Sequence, residues 1–182
     1  MGNFAVIDTE TNWIDQVMSI GVVVADMDTF KPLDAKYHVY TPEFEVGGMY
    51  EGTLFTDPQP MICTREESLG ALIPWLKSYG VQRLFAYNAA FDRNHLPELR
   101  GFHWYDIMRL AAYRQFNPCI PSDAECFSTG RMKRGYGVEP MLRMLSGRRS
   151  YYETHNALHD ALDELKIMHL LGYRLEEYIP LK

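Results

Sequence analysis

The stretch FAVIDTETNW, residues 4–13, places four apolar residues directly before two acids, Asp8 and Glu10, that are separated by one threonine. The apolar run predicts a short buried strand over residues 4–7. Residues two apart on a strand face the same side, so both carboxylates project together from its carboxyl end. Two such charges repel each other unless a hard divalent cation such as Mg²⁺ or Mn²⁺ binds them. The alternative is that both acids are simply exposed where the strand enters a loop.

The length and composition of the chain indicate which class of protein it belongs to. Its 182 residues, 47% hydrophobic and 23% charged, are typical of one globular domain, expected here over residues 1–182. The three cysteines include no C-x-x-C pair, which favours a reducing compartment, and neither a signal peptide nor a membrane-spanning run is recognisable. We therefore expect a cytoplasmic protein with no membrane contact. The net charge of −6 disfavours a non-specific nucleic-acid coat, which is usually basic.

The hydrophobic periodicity predicts strands first and helices later in the chain. Strands are predicted over residues 4–7, 17–25, 37–40, 84–87 and the start of HWYDIMRLAAYRQF. Helices are predicted over residues 65–79 (capped by Thr64), 89–99, the rest of HWYDIMRLAAYRQF, 138–145 and 157–171. A meander of three strands followed by β-α-β-α and further helices indicates an α/β fold with a mixed sheet. Residues 41–64, rich in proline and with two adjacent glycines, are predicted to be a surface loop.

Two further stretches place an acid just past an apolar element. In LFAYNAAFDRNHL, residues 84–96, a predicted strand runs into Asn88 and then a helix that carries Asp92. In THNALHDALDELKIMHLL, residues 154–171, a helix begins after His155 and carries Asp160 in its first turns. A single acid near a helix start commonly interacts only with the helix dipole. Three such segments, one with a nearby histidine, instead indicate a shared site at the edge where α/β sheets bind ligands.

These three stretches resemble, in order, the three sequence motifs of the DEDDh branch of the DEDD exonuclease superfamily. That branch includes the proofreading subunit of bacterial replicative polymerase, RNase T and oligoribonuclease. The motifs have the forms D-x-E, N-x-x-F-D and H-x-A-x-x-D-A, and the residues that match them are Asp8 and Glu10; Asn88, Phe91 and Asp92; and His155, Ala157, Asp160 and Ala161. The matches span nearly the whole chain in the family's order. Asn12, Trp13 and Tyr87 depart from the family's common residues, which bears on substrate specificity.

The resemblance implies a ribonuclease H-like fold, with a central mixed five-stranded sheet flanked by helices. It also implies a 3′–5′ exonuclease that hydrolyses single-stranded DNA or RNA from the 3′ end and releases nucleoside 5′-monophosphates. The implied cofactors are two Mg²⁺ or Mn²⁺ ions, bound by Asp8, Glu10, Asp92 and Asp160. In the implied roles Asp8 bridges both ions, and His155 is the general base that takes a proton from the attacking water. Association as a homodimer or with a polymerase is left open.

The spacing of His155 and Asp160 constrains where the histidine lies. Five residues on a continuous helix turn through roughly 500°, so the two side chains converge only if His155 precedes the helix. His159, beside Asp160, is the competing histidine, and we expect it to be an exposed helix residue. Glu164, one turn after Asp160, is expected to be a solvated acid or to lie behind the ligands, and Asp106 is expected to cap its helix.

Five residues near the motifs are candidates for substrate binding: Thr9, Thr11, Trp13, Asn88 and Phe91. Trp13 either stacks on the terminal base, an interaction worth about 1–3 kcal/mol, or packs under the loop as part of the core. Phe91 is also typical of a residue that packs toward the sheet. Thr9 and Thr11 would offer backbone or hydroxyl contacts to the terminal nucleotide.

A basic run follows the predicted sheet. Residues 131–149 contain six Lys and Arg residues and one acid, Glu139. Such a run is usually a solvated face, and the functional alternative is a flank that attracts phosphates.

Two other functions compete with the exonuclease interpretation. VIDTET resembles the strand end of haloacid-dehalogenase-type phosphatases, but that class needs a late Gly-Asp loop, and the sequence contains no Gly-Asp pair. The second alternative is a catalytically weak, exonuclease-like accessory module that binds nucleic acid without cutting it. Loss of a metal ligand or of the general base would indicate such a module, and all five residue types are present.

Overall fold

The computed structural model describes residues 2–181. Six strands form one mixed sheet in the order β4-β3-β2-β1-β5-β6. Their bounds are β1 (Asn3–Thr11), β2 (Val17–Asp26), β3 (Pro32–Tyr40), β4 (Met61–Cys63), β5 (Arg83–Ala86) and β6 (His103–Asp106). Among the helices of residues 2–181, none is long and apolar enough to cross a membrane.

The strand directions place the carboxyl ends of three neighbouring strands, β1, β5 and β6, side by side. Strands β1, β2 and β3 form the expected antiparallel meander, and the Asp26 carboxylate accepts the Thr29 backbone N–H (2.8 Å) in the turn between β2 and β3. Strands β5 and β6 run parallel to β1. The carboxyl ends of β1, β5 and β6 therefore meet at a common edge, the position where open α/β sheets bind ligands.

Helices cover both faces of the sheet. Their bounds are α1 (Arg65–Ser78), α2 (Ala90–His95), α3 (Met108–Ala111), α4 (Val138–Ser146) and α5 (Ala157–Leu171). Helices α4 and α5 pack against one face and α1 against the other, so the central strands are buried on both sides. The capping box predicted for α1 is confirmed: the Thr64 hydroxyl accepts the Glu67 N–H, and the Glu67 carboxylate accepts the Thr64 N–H at 2.8 Å.

A close backbone contact fixes where α5 begins. A Cβ atom on residue 21 would lie 2.2 Å from the backbone of Ala157, so only glycine permits this approach. Gly21 is paired with Asp8 across the sheet. The contact therefore places the first turn of α5 beside the carboxyl end of β1.

Several predicted boundaries are wrong. Strand β1 continues past residue 7 to Thr11, β3 begins already at Pro32, and the helix predicted to the end of HWYDIMRLAAYRQF covers only Met108–Ala111. The sheet has six strands rather than five, because Met61–Cys63, within the predicted loop, pairs in parallel with β3. This edge strand has only three residues, two of them exposed, so it shows no alternating pattern. The helix predicted over residues 89–99 ends at His95, and a 3₁₀ turn, Pro97–Leu99, follows it. Proline disfavours the helical conformation of the residue before it, which explains the early end.

Candidate active site

Asp8 and Glu10 project from the carboxyl end of β1 on the side that faces α5. Glu10 is buried and Asp8 half-buried, so neither matches the exposed-loop alternative. The pairing with β2 shifts between Glu10 and Thr11, where the chain leaves the regular sheet. The regular part of the strand therefore ends at the second acid, which fixes both carboxylates on a rigid element.

The structure brings the acid of α5 and the preceding histidine to the same point. One ligand atom from each of Glu10, His155 and Asp160 lies within 4.8 Å of the other two. Asp160 is in the first turn of α5, and Asn156 caps that helix by accepting the backbone N–H groups of Leu158 and His159. His155 thus precedes the helix, as the spacing requires.

The electrostatics of the site follow from crowding several carboxylates away from water. Burial, together with the negative charge of Asp160, raises the pKa of Glu10 to about 8. Burial, together with Glu153, raises the pKa of Asp160 to about 8. The pKa of Asp8 is well above its ordinary value because of burial first and then the charge of Glu164. Without a cation, the site disfavours its own ionised form.

Asp92 completes the group from the other side of the sheet edge. It is buried in α2, and its Oδ1 accepts the Thr9 hydroxyl at 2.8 Å. Burial raises the pKa of Asp92 to about 7 even though the Thr9 hydrogen bond lowers it. Its negative charge also raises the pKa of both Asp8 and Glu10. Thr9 was expected to offer its backbone or its hydroxyl to the terminal nucleotide; the hydroxyl donates to Asp92, and Thr9 is buried.

Two further acids belong to the site. Glu164 is 1% exposed, which excludes the solvated alternative and leaves the other one, in which it lies behind the ligands. It lies four residues after Asp160, hence on the same inward face of α5, and its Oε2 has no hydrogen-bond partner among the described residues. Glu153 lies just before the third motif, and its negative charge raises the pKa of Glu10 and of Asp160. Helical spacing could have indicated Glu164, whereas no sequence pattern indicates Glu153.

His155 lies on an irregular segment that is held by residues 50–56. Its backbone has a positive φ of 52°, which is uncommon for a residue with a side chain. The imidazole stacks on the ring of Tyr50, with centroids 4.0 Å apart and planes 16° apart. The Thr53 hydroxyl donates to the His155 carbonyl, and the Asn156 side chain donates to the Thr53 carbonyl (3.0 Å). Much of the predicted loop therefore supports the histidine.

His159 takes part in a different contact. Its Nε2 lies 2.8 Å from the Asp57 carbonyl oxygen, so its ring packs on the irregular segment and is half-buried rather than exposed as expected. His155 is the histidine that reaches the carboxylates.

The aromatic candidates for substrate binding are exposed at the same edge. Trp13 is 64% exposed, which excludes its packing as core, and its backbone N–H donates to Gly47 (3.0 Å). Phe91 was also considered as a core residue, but it is 38% exposed and lies against the His95 ring at 4.2 Å. Thr11 is half-buried where β1 ends.

The second motif also has a constrained backbone at its start. Asn88 has a positive φ of 66°, and its N–H donates to Asp106 Oδ1 at 3.1 Å. The same Asp106 oxygen accepts the Met108 N–H at 3.0 Å, so Asp106 binds the start of its helix and the Asn88 turn together.

The residues fit a divalent cation of the hard, oxygen-preferring kind. Asp160 Oδ1 is buried without a hydrogen-bond partner among the described residues, although carboxylate oxygens in that position normally have one. Several carboxylates share the site, and the four ion pairs described within residues 2–181 all involve other acids. Carboxylate oxygens are the ligands that Mg²⁺ and Mn²⁺ prefer.

Solved structures share this fold at low sequence identity. The nuclease domain of 3′hExo, a DEDDh family member bound to rAMP, matches with a TM-score of 0.66 and 16% identity, over 99% of this chain and 96% of that chain. Cell-death related nuclease 4 (CRN-4) matches with a TM-score of 0.60 and 12% identity, over 93% and 63%. E. coli exonuclease I in complex with an oligonucleotide matches with a TM-score of 0.61 and 13% identity, over 97% and 41%.

These matches confirm the expected fold, an α/β domain of the kind found in DEDDh exonucleases. No protein-family model matches the chain, and no curated protein matches its sequence.

Proposed function

We propose that this chain is a metal-dependent 3′–5′ exonuclease that hydrolyses single-stranded DNA or RNA and releases nucleoside 5′-monophosphates. The observation that carries the proposal is the convergence of Glu10, Asp160 and His155, from three separate segments, within 4.8 Å of one another. Asp8 and Asp92 complete the set through their mutual electrostatic effects. An accessory module that only binds nucleic acid has no need of this arrangement.

The carboxylates of Asp8, Glu10, Asp92 and Asp160 are the groups that would hold two Mg²⁺ or Mn²⁺ ions. Such ions supply Lewis-acid stabilisation of the charge that develops on the phosphate oxygens. The unpartnered Oδ1 of Asp160 and the raised pKa values of the neighbouring acids support this assignment. The chain's own contribution is to hold these oxygens on β1, α2 and α5, which are rigid elements.

His155 is the proposed general base. In the reaction a water oxygen attacks the phosphorus, the bond from phosphorus to the 3′ oxygen breaks, and the shortened strand keeps a 3′ hydroxyl. His155 accepts the proton of the attacking water at an imidazole nitrogen, and histidine is the side chain that most often carries out such a proton transfer. The Tyr50 stack and the Thr53 hydrogen bond orient the ring toward the carboxylates.

The aromatic side chains at the same edge are proposed to receive the terminal nucleotide. Trp13 and Phe91 are exposed beside the acids, and base–aromatic stacking tolerates any base. A frayed single strand can bring its last base onto such a ring, whereas a paired base is stacked within the duplex. Thr11 and Asn88 would add polar contacts from the two strand ends.

The three cysteines are free thiols, which suits a reducing compartment, and we propose that the enzyme is cytoplasmic.

The test uses 5′-labelled single-stranded DNA and RNA with Mg²⁺ or Mn²⁺, and compares the wild type with Asp8→Ala. We expect a ladder that shortens from the 3′ end and that both the substitution and EDTA abolish. The matched control is Asp28→Asn, an exposed acid in the β2–β3 turn at the opposite end of the sheet. If neither substrate is cleaved although metal binds, the chain is a binding module, and absence of metal binding overturns the proposal entirely.

A further inference from the structure

Three aromatic rings stand exposed on the segment between α3 and α5. Phe127 is 45% exposed, Tyr136 38% and Tyr152 72%. The same segment, residues 127–152, carries the basic run, and together they form what we call the basic–aromatic surface. Exposed rings of this size on a soluble chain need an explanation when they are grouped with charges of one sign.

The rings and the cations are interleaved rather than separate. The Arg131 guanidinium lies 5.0 Å from the Phe127 ring centroid and 5.4 Å from that of Tyr136. The Arg143 guanidinium lies 4.8 Å from the Tyr152 ring centroid. Alternating guanidinium groups and rings present donors for phosphates beside flat apolar faces for bases.

Most of the positive charge on this surface has no acidic partner. Arg143 is paired with Glu139 at 2.9 Å, and it is the one basic residue of this segment found among the ion pairs of residues 2–181. Lys133, Arg134, Arg148 and Arg149 are exposed and form no ion pair there. The chain has a net charge of −6, so this local cluster of unpaired positive charges stands out from the rest of the molecule. Such a cluster attracts an anionic partner.

The basic–aromatic surface borders the carboxylates at two points. The Tyr87 hydroxyl donates to the Tyr136 carbonyl, and Tyr87 directly precedes Asn88 of the second motif. At the other end, Tyr152 precedes Glu153, whose charge acts on Glu10 and Asp160. A polyanion that ends at the carboxylates can therefore continue along this surface.

We propose that the basic–aromatic surface binds the nucleotides upstream of the 3′ end, so that one single strand is held by its phosphates and bases while its terminus occupies the acidic site. This inference rests on the proposed function and specifies its substrate as an oligonucleotide of several residues. Charge complementarity decides the occupant: the cations of this surface that have no acidic partner attract the phosphates of a strand whose terminus reaches the acidic site. Exposed rings favour a nucleic acid over an acidic protein, since bases stack on them.

The first experiment measures binding without cleavage. Fluorescence anisotropy of a labelled single-stranded oligonucleotide, in EDTA and over a range of salt concentrations, compares the wild type with Lys133→Gln/Arg134→Gln and Arg148→Gln/Arg149→Gln. The control Lys77→Gln/Arg100→Gln removes the same number of exposed charges near the amino ends of β5 and β6. Each surface variant should lower the slope of log K against log salt by about 1.4, since a phosphate contact on a single strand contributes about 0.7. Affinity should fall on the order of tenfold, and the control should match the wild type.

The second experiment separates this surface from the acidic site. With Mg²⁺, the surface variants should lose kcat/KM on a long single strand but keep the wild-type value on a dinucleotide, which is too short to reach the surface. Tyr152→Ala should weaken oligonucleotide binding on the order of tenfold, while Tyr152→Phe, which keeps the ring, should not.

Several outcomes would overturn the inference. Unchanged salt slopes in both surface variants would show that the cations do not contact phosphates. Equal affinity for an abasic oligonucleotide would show a general anion surface, suited to an acidic protein, instead of one that binds bases. If the wild type cleaves neither substrate, the exonuclease proposal fails, and the anisotropy measurement still decides whether the surface binds single strands.

Discussion

The carboxylates are held by regular secondary structure, whereas His155 is held by an irregular segment. Asp8 and Glu10 lie on β1 and Asp160 lies in the first turn of α5, which docks on the sheet at Gly21. His155 has a left-handed backbone conformation and depends on contacts with residues 50–56. The two parts of one candidate site therefore have different sources of rigidity.

This difference predicts which function of the site is more sensitive to substitutions in its surroundings. Strand pairing and helix docking are cooperative, so an acid on β1 or α5 moves only if the fold moves. A side chain on an irregular segment keeps its place only while a few specific contacts persist. We therefore expect metal binding to survive substitutions that impair the general base. Substitutions that remove a metal-binding carboxylate, in contrast, should abolish catalysis even though His155 stays in place.

The largest effects should come from removing one of the metal-binding carboxylates and from removing the general base, each in a separate variant. Asp160→Asn should abolish cleavage together with the increase in Tm that Mg²⁺ causes, because it removes a ligand oxygen. His155→Ala should lower kcat by about 10²–10⁴ and preserve the Tm increase, because general-base catalysis contributes that much and the carboxylates remain. Cleavage assays and thermal unfolding with and without Mg²⁺ measure both.

His159→Ala is the matched control for the histidine, since His159 contacts Asp57 instead of the carboxylates. It should keep kcat near the wild-type value. If His159→Ala lost as much activity as His155→Ala, the division between the two histidines would be wrong.

A smaller effect is expected where a hydrogen bond supports one carboxylate. Thr9→Val removes the hydroxyl that donates to Asp92 Oδ1 at 2.8 Å. Hydrogen bonds to charged groups contribute about 1.5–3 kcal/mol, so the Mg²⁺ concentration for half-maximal activity should rise about 10- to 100-fold. Thr9→Ser retains the hydroxyl and should behave as the wild type. An unchanged Mg²⁺ requirement in Thr9→Val would show that Asp92 does not need Thr9.

The same difference explains what the sequence could predict. Asp8, Glu10, Asp92 and Asp160 follow apolar periodic runs, and periodicity indicates the element, although β1 continues past its predicted end at residue 7 to Thr11. Glu164 follows that periodicity too, but because a glutamate is usually exposed, the sequence left open whether it is solvated or buried behind the ligands.

The support of His155 has no local sequence pattern. Thr53 and His155 are separated by 102 positions, and the segment that carries Thr53 looks like an ordinary proline-rich loop. Tertiary contacts of this kind depend on how two irregular segments pack, which short-range propensity does not describe. The edge strand Met61–Cys63 was missed for the same reason.

The stack on the imidazole gives the next smaller prediction. Tyr50→Leu removes the ring that lies 4.0 Å from that of His155, and aromatic pairs contribute about 0.5–1.5 kcal/mol beyond their area. We expect kcat to fall about two- to tenfold with KM unchanged, because the ring orients the base and does not bind substrate. Tyr50→Phe keeps the stack and should restore kcat. Equal losses in both variants, or a change confined to KM, would show that Tyr50 does not position His155.

The last prediction concerns stability instead of catalysis, and it tests the crowding of the carboxylates without involving His155. The pKa values of Glu10 and Asp160 are raised to about 8 and that of Asp92 to about 7, all above the values near 4 of unfolded chains. Between these values the folded state binds more protons than the unfolded state, so the free energy of unfolding falls as pH rises from about 4 to about 8. In EDTA, Tm should therefore decrease as pH rises over this range, by about 2–4 °C for each kcal/mol of stability that is lost in a chain of this length.

Mg²⁺ should remove most of that decrease, because it binds the ionised carboxylates and stabilises the folded form that burial otherwise disfavours. Asp160→Asn should also reduce the decrease in EDTA, since one buried acid no longer ionises, whereas Asp28→Asn should leave it unchanged. His155→Ala should keep the Mg²⁺ response. A Tm that rises with pH in EDTA would mean that the carboxylates are solvated or paired with cations of the protein, and the crowded acidic site would then be the wrong description.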